Sequence, residues 1–198
     1  MAGRPSTSTR RPASDAGIAL THVALLRGIN VGKAKRIAMA DLRRVVEGLG
    51  YTDVSTLLNS GNVVFKVPKG ATGVAARHIE TAIAGELGVE SRVTVLRKIQ
   101  LDTVIDENPY MLQAAENPSR LLVAVFATPK HRAAAESFRR EKDVPDFGLG
   151  RFAAYLWCPD GVLASDAAAR FDKRMKDGVT ARNWATMLKL QLLAMRSA

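Results

Sequence analysis

The order of short periodic segments between Thr21 and Arg97 constrains the fold of this chain more than any single residue. Thr21 to Arg27 is an apolar run and reads as a buried strand. In Met39 to Leu49, the residues Leu42, Val45, Val46 and Leu49 recur at helical spacing, and Gly50 follows as a left-handed cap. Val54 to Leu58 is a second strand. Asn59-Ser60-Gly61 is a turn signal, and Asn62 to Val67 alternates Val63, Phe65 and Val67 on one face, so the pair reads as a hairpin. Val74 to Leu87 is a helix closed by Gly88, and Arg92 to Arg97 is a fourth strand. The order β-α-β-β-α-β is the ferredoxin-like split βαβ pattern. In that topology the first and third strands are antiparallel neighbours, which would bring Arg27 close to Asn62.

The second half begins in a similar way. Ile99 to Glu107 reads as a short helix stopped by Asn108-Pro109. Leu121 to Phe126 is continuously apolar, as expected of a strand buried on both faces. Pro129 opens a helix reaching about Arg140, and strands near Asp146–Leu149 and Arg151–Cys158 pair across Gly150. Pro159-Asp160-Gly161 turns the chain, and helical sequence fills most of Val162 to Arg196 with a break at Gly178. No final strand is evident. The expected fold is therefore α+β, with two ferredoxin-like (split βαβ) lobes over residues 18–98 and 99–198, the second irregular and carrying C-terminal helices. No sequence repeat supports a duplication. Residues 1–17, rich in Arg, Ser, Thr and Pro, are expected to be a disordered basic tail.

The loop after the first strand is the strongest candidate for chemistry. Arg27-Gly28-Ile29-Asn30-Val31-Gly32-Lys33 combines two glycines with an asparagine and two cations. Glycines let backbone N–H groups converge on an anion, and the cations supply charge. It is not a phosphate-binding P-loop, because three residues rather than four separate Gly28 from Gly32 and Ala34 stands where a hydroxyl is needed. An anion nest remains. So does a simpler reading, in which Asn30 caps backbone groups and Arg27 pairs with a carboxylate. Asn59, Ser60 and Asn62 could grip a ligand beside that loop, although the same residues suit a tight turn. In Thr180-Ala-Arg-Asn-Trp184, Thr180 reads as an N-cap, placing Arg182 and Asn183 in a first helical turn where an anion is favoured. Trp184, with Met187, Leu188 and Leu192, makes an apolar stripe suited to the core.

Four ordered motifs carry a family resemblance: His22-Val-Ala-Leu-Leu-Arg-Gly-Ile-Asn-Val-Gly32, Asn59-Ser-Gly-Asn-Val-Val-Phe65, Tyr155-Leu-Trp-Cys-Pro-Asp-Gly161 and Thr180-Ala-Arg-Asn-Trp184. Over about Thr21 to Arg196 the chain resembles the DUF1697 family, bacterial proteins of uncharacterised function. The resemblance implies two ferredoxin-like lobes and leaves the activity blank. Relatives typically carry Gln where Asn59 stands, and commonly Ser-Lys-Leu where this chain has Ser165-Asp166-Ala167.

Composition narrows the function classes. Twenty-nine Lys and Arg against nineteen Asp and Glu give a net charge of +10, a field that attracts phosphates, nucleic acid or anionic surfaces. Cys158 is the only cysteine, so no intramolecular disulfide or cysteine-rich zinc site can form, and a cytoplasmic setting fits. No apolar run is long enough to span a membrane. His22, His78 and His131 are scattered, with the latter two on expected helices facing solvent, and no metal-ligand spacing or Gly-x-Ser-x-Gly elbow occurs. No cofactor is expected, and whether the protein is an enzyme stays open. Strand one lacks the aromatics of an RNA-binding sheet, and Phe65 is expected inside. The expected function is binding of a small phosphorylated ligand in a loop-lined cleft by Arg27, Gly28, Asn30, Gly32, Lys33, Asn59, Ser60, Asn62, Arg182 and Asn183. The alternative is nucleic-acid backbone binding through basic loops and through Arg170, Lys173, Arg174 and Lys176.

Overall fold

A computed structural model describes residues 19–31, 36–68, 76–141, 144 and 146–197. The first sheet has the order β2-β3-β1-β4, from β1 (Leu20–Arg27), β2 (Thr52–Leu57), β3 (Asn62–Val67) and β4 (Arg92–Arg97). All its pairings are antiparallel, and Leu25 lies opposite Asn62. The second sheet has the order β6-β7-β5-β8, from β5 (Leu121–Phe126), β6 (Phe147–Leu149), β7 (Ala153–Trp157) and β8 (Val179–Asn183), again antiparallel throughout. The helices are α1 (Met39–Gly48), α2 (Ala76–Leu87), α3 (Lys98–Asp106), α4 (Met111–Glu116), α5 (Pro129–Arg139), α6 (Asp166–Met175) and α7 (Trp184–Arg196). Both sheets thus follow the split βαβ order.

The missing final strand of the second lobe is β8, which corrects the helical reading of Thr180 to Asn183. Thr180 does not cap a helix. Its buried hydroxyl pairs with that of Thr94 at 3.0 Å, and Asn183 is the N-cap of α7, accepting from the Thr186 backbone N–H. The backbone amides of 179–183 pair with β5, where Val123 stands opposite Arg182. A strand edge waiting on β5 outweighs the weak local preference for a helix. The short helix α4 was not legible either, being too brief to show a period.

Alternation along the strands builds three apolar layers. Val23 and Leu25 of β1 point into a central cluster, while Ala24 and Leu26 point into an outer one with Leu42, Val45 and Val46 of α1 and Ile79 and Ile83 of α2. In the second sheet, Leu121, Val123 and Val125 join the central cluster, and Ala124 and Phe126 meet Phe138 of α5 and Phe171 of α6. The central cluster also takes Leu101 and Val104 of α3, and Trp184, Met187 and Leu190 of α7. Both lobes therefore share one core, and among the described residues both faces of each sheet are packed, leaving no open face there for stacked bases. Trp184 and Phe65 are buried as expected, whereas Leu188 and Leu192 stand on the exposed side of α7.

Gly50 and Gly88 have positive φ and close α1 and α2 as left-handed caps. His22 is buried against Phe65, and burial is the main cause that lowers its pKa below 6.5, aided by the charge of Arg97. Its Nδ1 lies 2.9 Å from the Leu20 carbonyl, a bond that partly opposes the shift. The unfolded chain therefore takes up a proton at a higher pH than the native one. Stability should fall as pH drops from about 6.5 through the native value. Urea denaturation at about pH 7.5 and about pH 5.5 should show this loss, and it should shrink in His22→Phe, which keeps the ring and removes the titration.

Candidate functional site

The ten residues singled out in the sequence do not converge on one cleft. Arg27 and Gly28 line a polar cleft of about 480 Å³ with Glu80, Ser91, Arg92 and Asp177. The Arg27 guanidinium donates to Asp172 at 2.8 Å and to the Val179 carbonyl at 3.3 Å. A second pair, Arg92 to Asp177 at 3.3 Å, also joins the lobes across this cleft. Asn30 has φ +55°, and its side chain is occupied by backbone: Oδ1 accepts from Ile37 N–H, and Nδ2 donates to the carbonyls of Ile37 and Asn59. Asn30 and Asn59 line a separate cleft of about 490 Å³ with Arg36 and Ile37. Gly32 and Lys33 lie outside the described residues, as does the tail.

Ser60, Arg182 and Asn183 meet in a third cleft of about 700 Å³. It opens between the Asn59–Asn62 turn of the first lobe and the β5–β8 edge of the second. Asn62 is wholly buried and does not line it. Its Nδ2 donates to the Leu57 carbonyl and to Ser60 Oγ, so its Oδ1 is held toward Arg182, from which it accepts at 2.6 Å.

Arg182 is the centre of this arrangement. Nη2 donates to the carbonyls of Leu26 (2.7 Å), Ser60 (2.8 Å) and Gly61 (3.3 Å), and Nη1 donates to Ala181 (2.8 Å). Strand β8 brings the side chain to the lobe boundary, and the positive φ of Gly61 (+75°) folds the turn so that successive carbonyls point at it. Every acceptor is neutral, and Arg182 forms no ion pair among the described residues. Desolvation by burial, followed by the charge of Arg27, brings its pKa down to about 10, which leaves it protonated at neutral pH. A guanidinium has five N–H donors. The protein supplies one acceptor to Nη1, so a second Nη1–H has no protein partner among the described residues.

Other groups on this cleft carry no obvious sequence signal. Arg120 is exposed on the wall and forms no ion pair among the described residues. Ser119 and Thr186 place hydroxyls there, both engaged by asparagines: Ser119 donates to Asn117 Oδ1 at 2.6 Å, and Thr186 donates to Asn183 Oδ1 at 2.7 Å. Asp160 is the one carboxylate on the lining. Leu122, Val162, Leu163, Ala164 and Ala181 form an apolar wall.

Elsewhere the two arginines of the basic helix end are paired. Arg170 meets Asp166 at 3.0 Å, Arg174 meets Glu141, and both guanidinium groups lie 5.8 Å from the Phe138 ring. Ser165 caps α6 by accepting from Ala168 N–H, and Asp166 occupies its first turn. Cys158 is fully buried, and burial raises its thiol pKa, so the reactive thiolate is suppressed. His131 is half-buried rather than solvent-facing, because its Nδ1 serves the Thr128 amide and hydroxyl at the start of α5. Among the described residues no group of His, Cys, Asp or Glu is placed to hold a metal ion, and no helix is long and apolar enough to cross a membrane.

Comparison with known proteins accords with this architecture. Residues 20–153 match the family model described as a protein of unknown function (DUF1697), a span that ends before Tyr155–Gly161 and Thr180–Trp184. The chain belongs to the DUF1697 family. No curated protein matches it. A solved structure, that of the conserved bacterial protein SP0830 from Streptococcus pneumoniae, is similar with a TM-score of 0.66 at 18% identity, covering 89% of this chain and 99% of that one.

Proposed function

We propose that the protein binds a small phosphorylated or otherwise anionic ligand in the Arg182 cleft. The observation that carries this reading is a buried guanidinium held by neutral acceptors, with no counter-charge among the described residues, on the wall of a cleft it shares with Arg120. A desolvated cation binds an anion more strongly than an exposed one, because less water screens the pair. Ser60, whose Oγ accepts from Asn62 and keeps its own proton, adds a hydroxyl donor, and α7 begins at the cleft with its positive dipole end. Arg27, Gly28, Asn30 and Asn59 contribute from neighbouring clefts, by charge and by holding the turn, and Asn62 orients Arg182. The proposed setting is cytoplasmic, and the lobes are taken as residues 18–98 and 99–198.

Titration with inorganic phosphate, followed by calorimetry, tests the reading. Arg120→Gln leaves the fold untouched because the side chain is exposed, and should weaken binding at least about tenfold, the range of a charge-assisted hydrogen bond. Arg27→Ala should change affinity by less than about threefold, and stability by no more than about 1 kcal/mol, since its ion pair is solvent-screened. Unchanged affinity in Arg120→Gln would contradict the assignment. Nucleic-acid backbone binding is the competing reading, resting on the +10 charge. It requires steep salt dependence between about 50 and about 200 mM, which one phosphate does not produce.

A further inference from the structure

The cleft is larger and less polar than an inorganic anion requires. At about 700 Å³ it falls within the volume range of sites for whole organic molecules, which are mostly apolar with a few placed polar groups. Its lining is of two kinds. Arg120, Arg182 and the Ser60 hydroxyl are polar, while Leu122, Val162 and Leu163 are apolar.

Two of the apolar residues are firmly held. Leu122 and Val162 are partly buried and pack against the outer cluster that holds Phe138 and Phe171. Leu163 is different. It sits on the 3₁₀ turn Val162–Ala164 with its side chain entirely exposed, although it lines the cleft. Gly161, at φ +97°, opens that turn out of the Pro159–Gly161 bend and so sets Leu163 at the rim. A leucine presented in this way loses water-exposed area when an apolar body is seated beside it in the cleft.

Building on the anion-binding reading, we infer that the ligand is an organic phosphate whose body is apolar, aryl or alkyl, rather than a phosphorylated sugar. The phosphate meets Arg120 and Arg182. The body lies along Leu122 and Val162, and Leu163 covers it from the rim. Charge sets where the head group goes, and apolar area sets which molecule is retained.

The test compares phenyl phosphate, glucose 6-phosphate and inorganic phosphate by calorimetry on the full chain. Phenyl phosphate should bind about tenfold more tightly than the other two. Leu163→Ser, a change at a fully exposed position, should reduce phenyl phosphate affinity roughly three- to tenfold and leave inorganic phosphate unchanged. Equal affinity for phenyl phosphate and glucose 6-phosphate would overturn the inference while leaving the anion site standing, as would phenyl phosphate binding that is indifferent to Leu163→Ser. Failure of all three probes to bind would overturn both.

Discussion

Arg182→Met is expected to melt about 6–12 °C below the wild-type protein, a loss of about 3 kcal/mol for a chain of this size. The substitution keeps a long side chain at the boundary and removes every donor from it. Leu26 O, Ser60 O, Gly61 O and Asn62 Oδ1 would all lose their bond to the guanidinium. Hydrogen bonds to a charged group contribute about 1.5–3 kcal/mol each, so the gross loss exceeds the net one. Two effects reduce it. Gly61 O also accepts from Leu26 N–H at 2.8 Å, so it is not left without a donor. Removing the charge also relieves the desolvation that lowers the Arg182 pKa. The bonds should still win, because Leu26 O, Ser60 O and Asn62 Oδ1 of the first lobe all lose a charged donor supplied by one side chain of the second. Arg182→Lys should recover part of the loss, since an ammonium brings three donors but no planar fork. Thermal melts of both variants check this, and a methionine variant within about 2 °C of wild type would contradict the part given to Arg182 in joining the lobes.

Gly61→Ala should cost about 3 kcal/mol. Gly61 has φ +75°, and a Cβ there would stand 2.6 Å from Ile29 Cδ1 and 2.7 Å from Leu26 Cβ. The isoleucine tip can turn aside, but Leu26 Cβ is fixed to the β1 backbone. Left-handed strain of about 1–2 kcal/mol therefore adds to overpacking of similar size. Gly28→Ala is the control. Its φ is +74° and its would-be Cβ meets nothing within 4 Å, so strain alone should operate and the loss should stay near 1 kcal/mol. Urea titrations of the two variants separate close approach from backbone conformation. Equal losses would mean that the turn does not press on Leu26 and Ile29 as described.

Most of the fold was legible because its signals are local. The spacing of Leu42, Val45 and Val46, the stops at Gly50 and Gly88, and the alternation through Val63, Phe65 and Val67 each lie within one element. The adjacency of Arg27 and Asn62 followed from the split βαβ order, and Leu25 opposite Asn62 agrees with it. Strand β8 was hidden because Thr180 and Asn183 both suit a helix cap, and only pairing with β5 decides between them. The site was harder to read. Ser60, Arg120, Leu163 and Arg182 are brought together by packing of two lobes, and no spacing in the sequence encodes it. The loop that drew most interest, Arg27 to Lys33, combines an ion-paired arginine, an asparagine occupied by backbone and residues outside the described set.

Nitrogen-15 NMR of arginine side chains and backbone amides during a phenyl phosphate titration tests the central claim most directly. Saturable shifts at Arg182 Nε–H, the Arg120 side chain and the amides of Asn183 and Thr186 are predicted, with Arg170 and Arg174 unmoved. Shifts confined to Arg170 and Arg174, or none that saturate at Arg182, would contradict it.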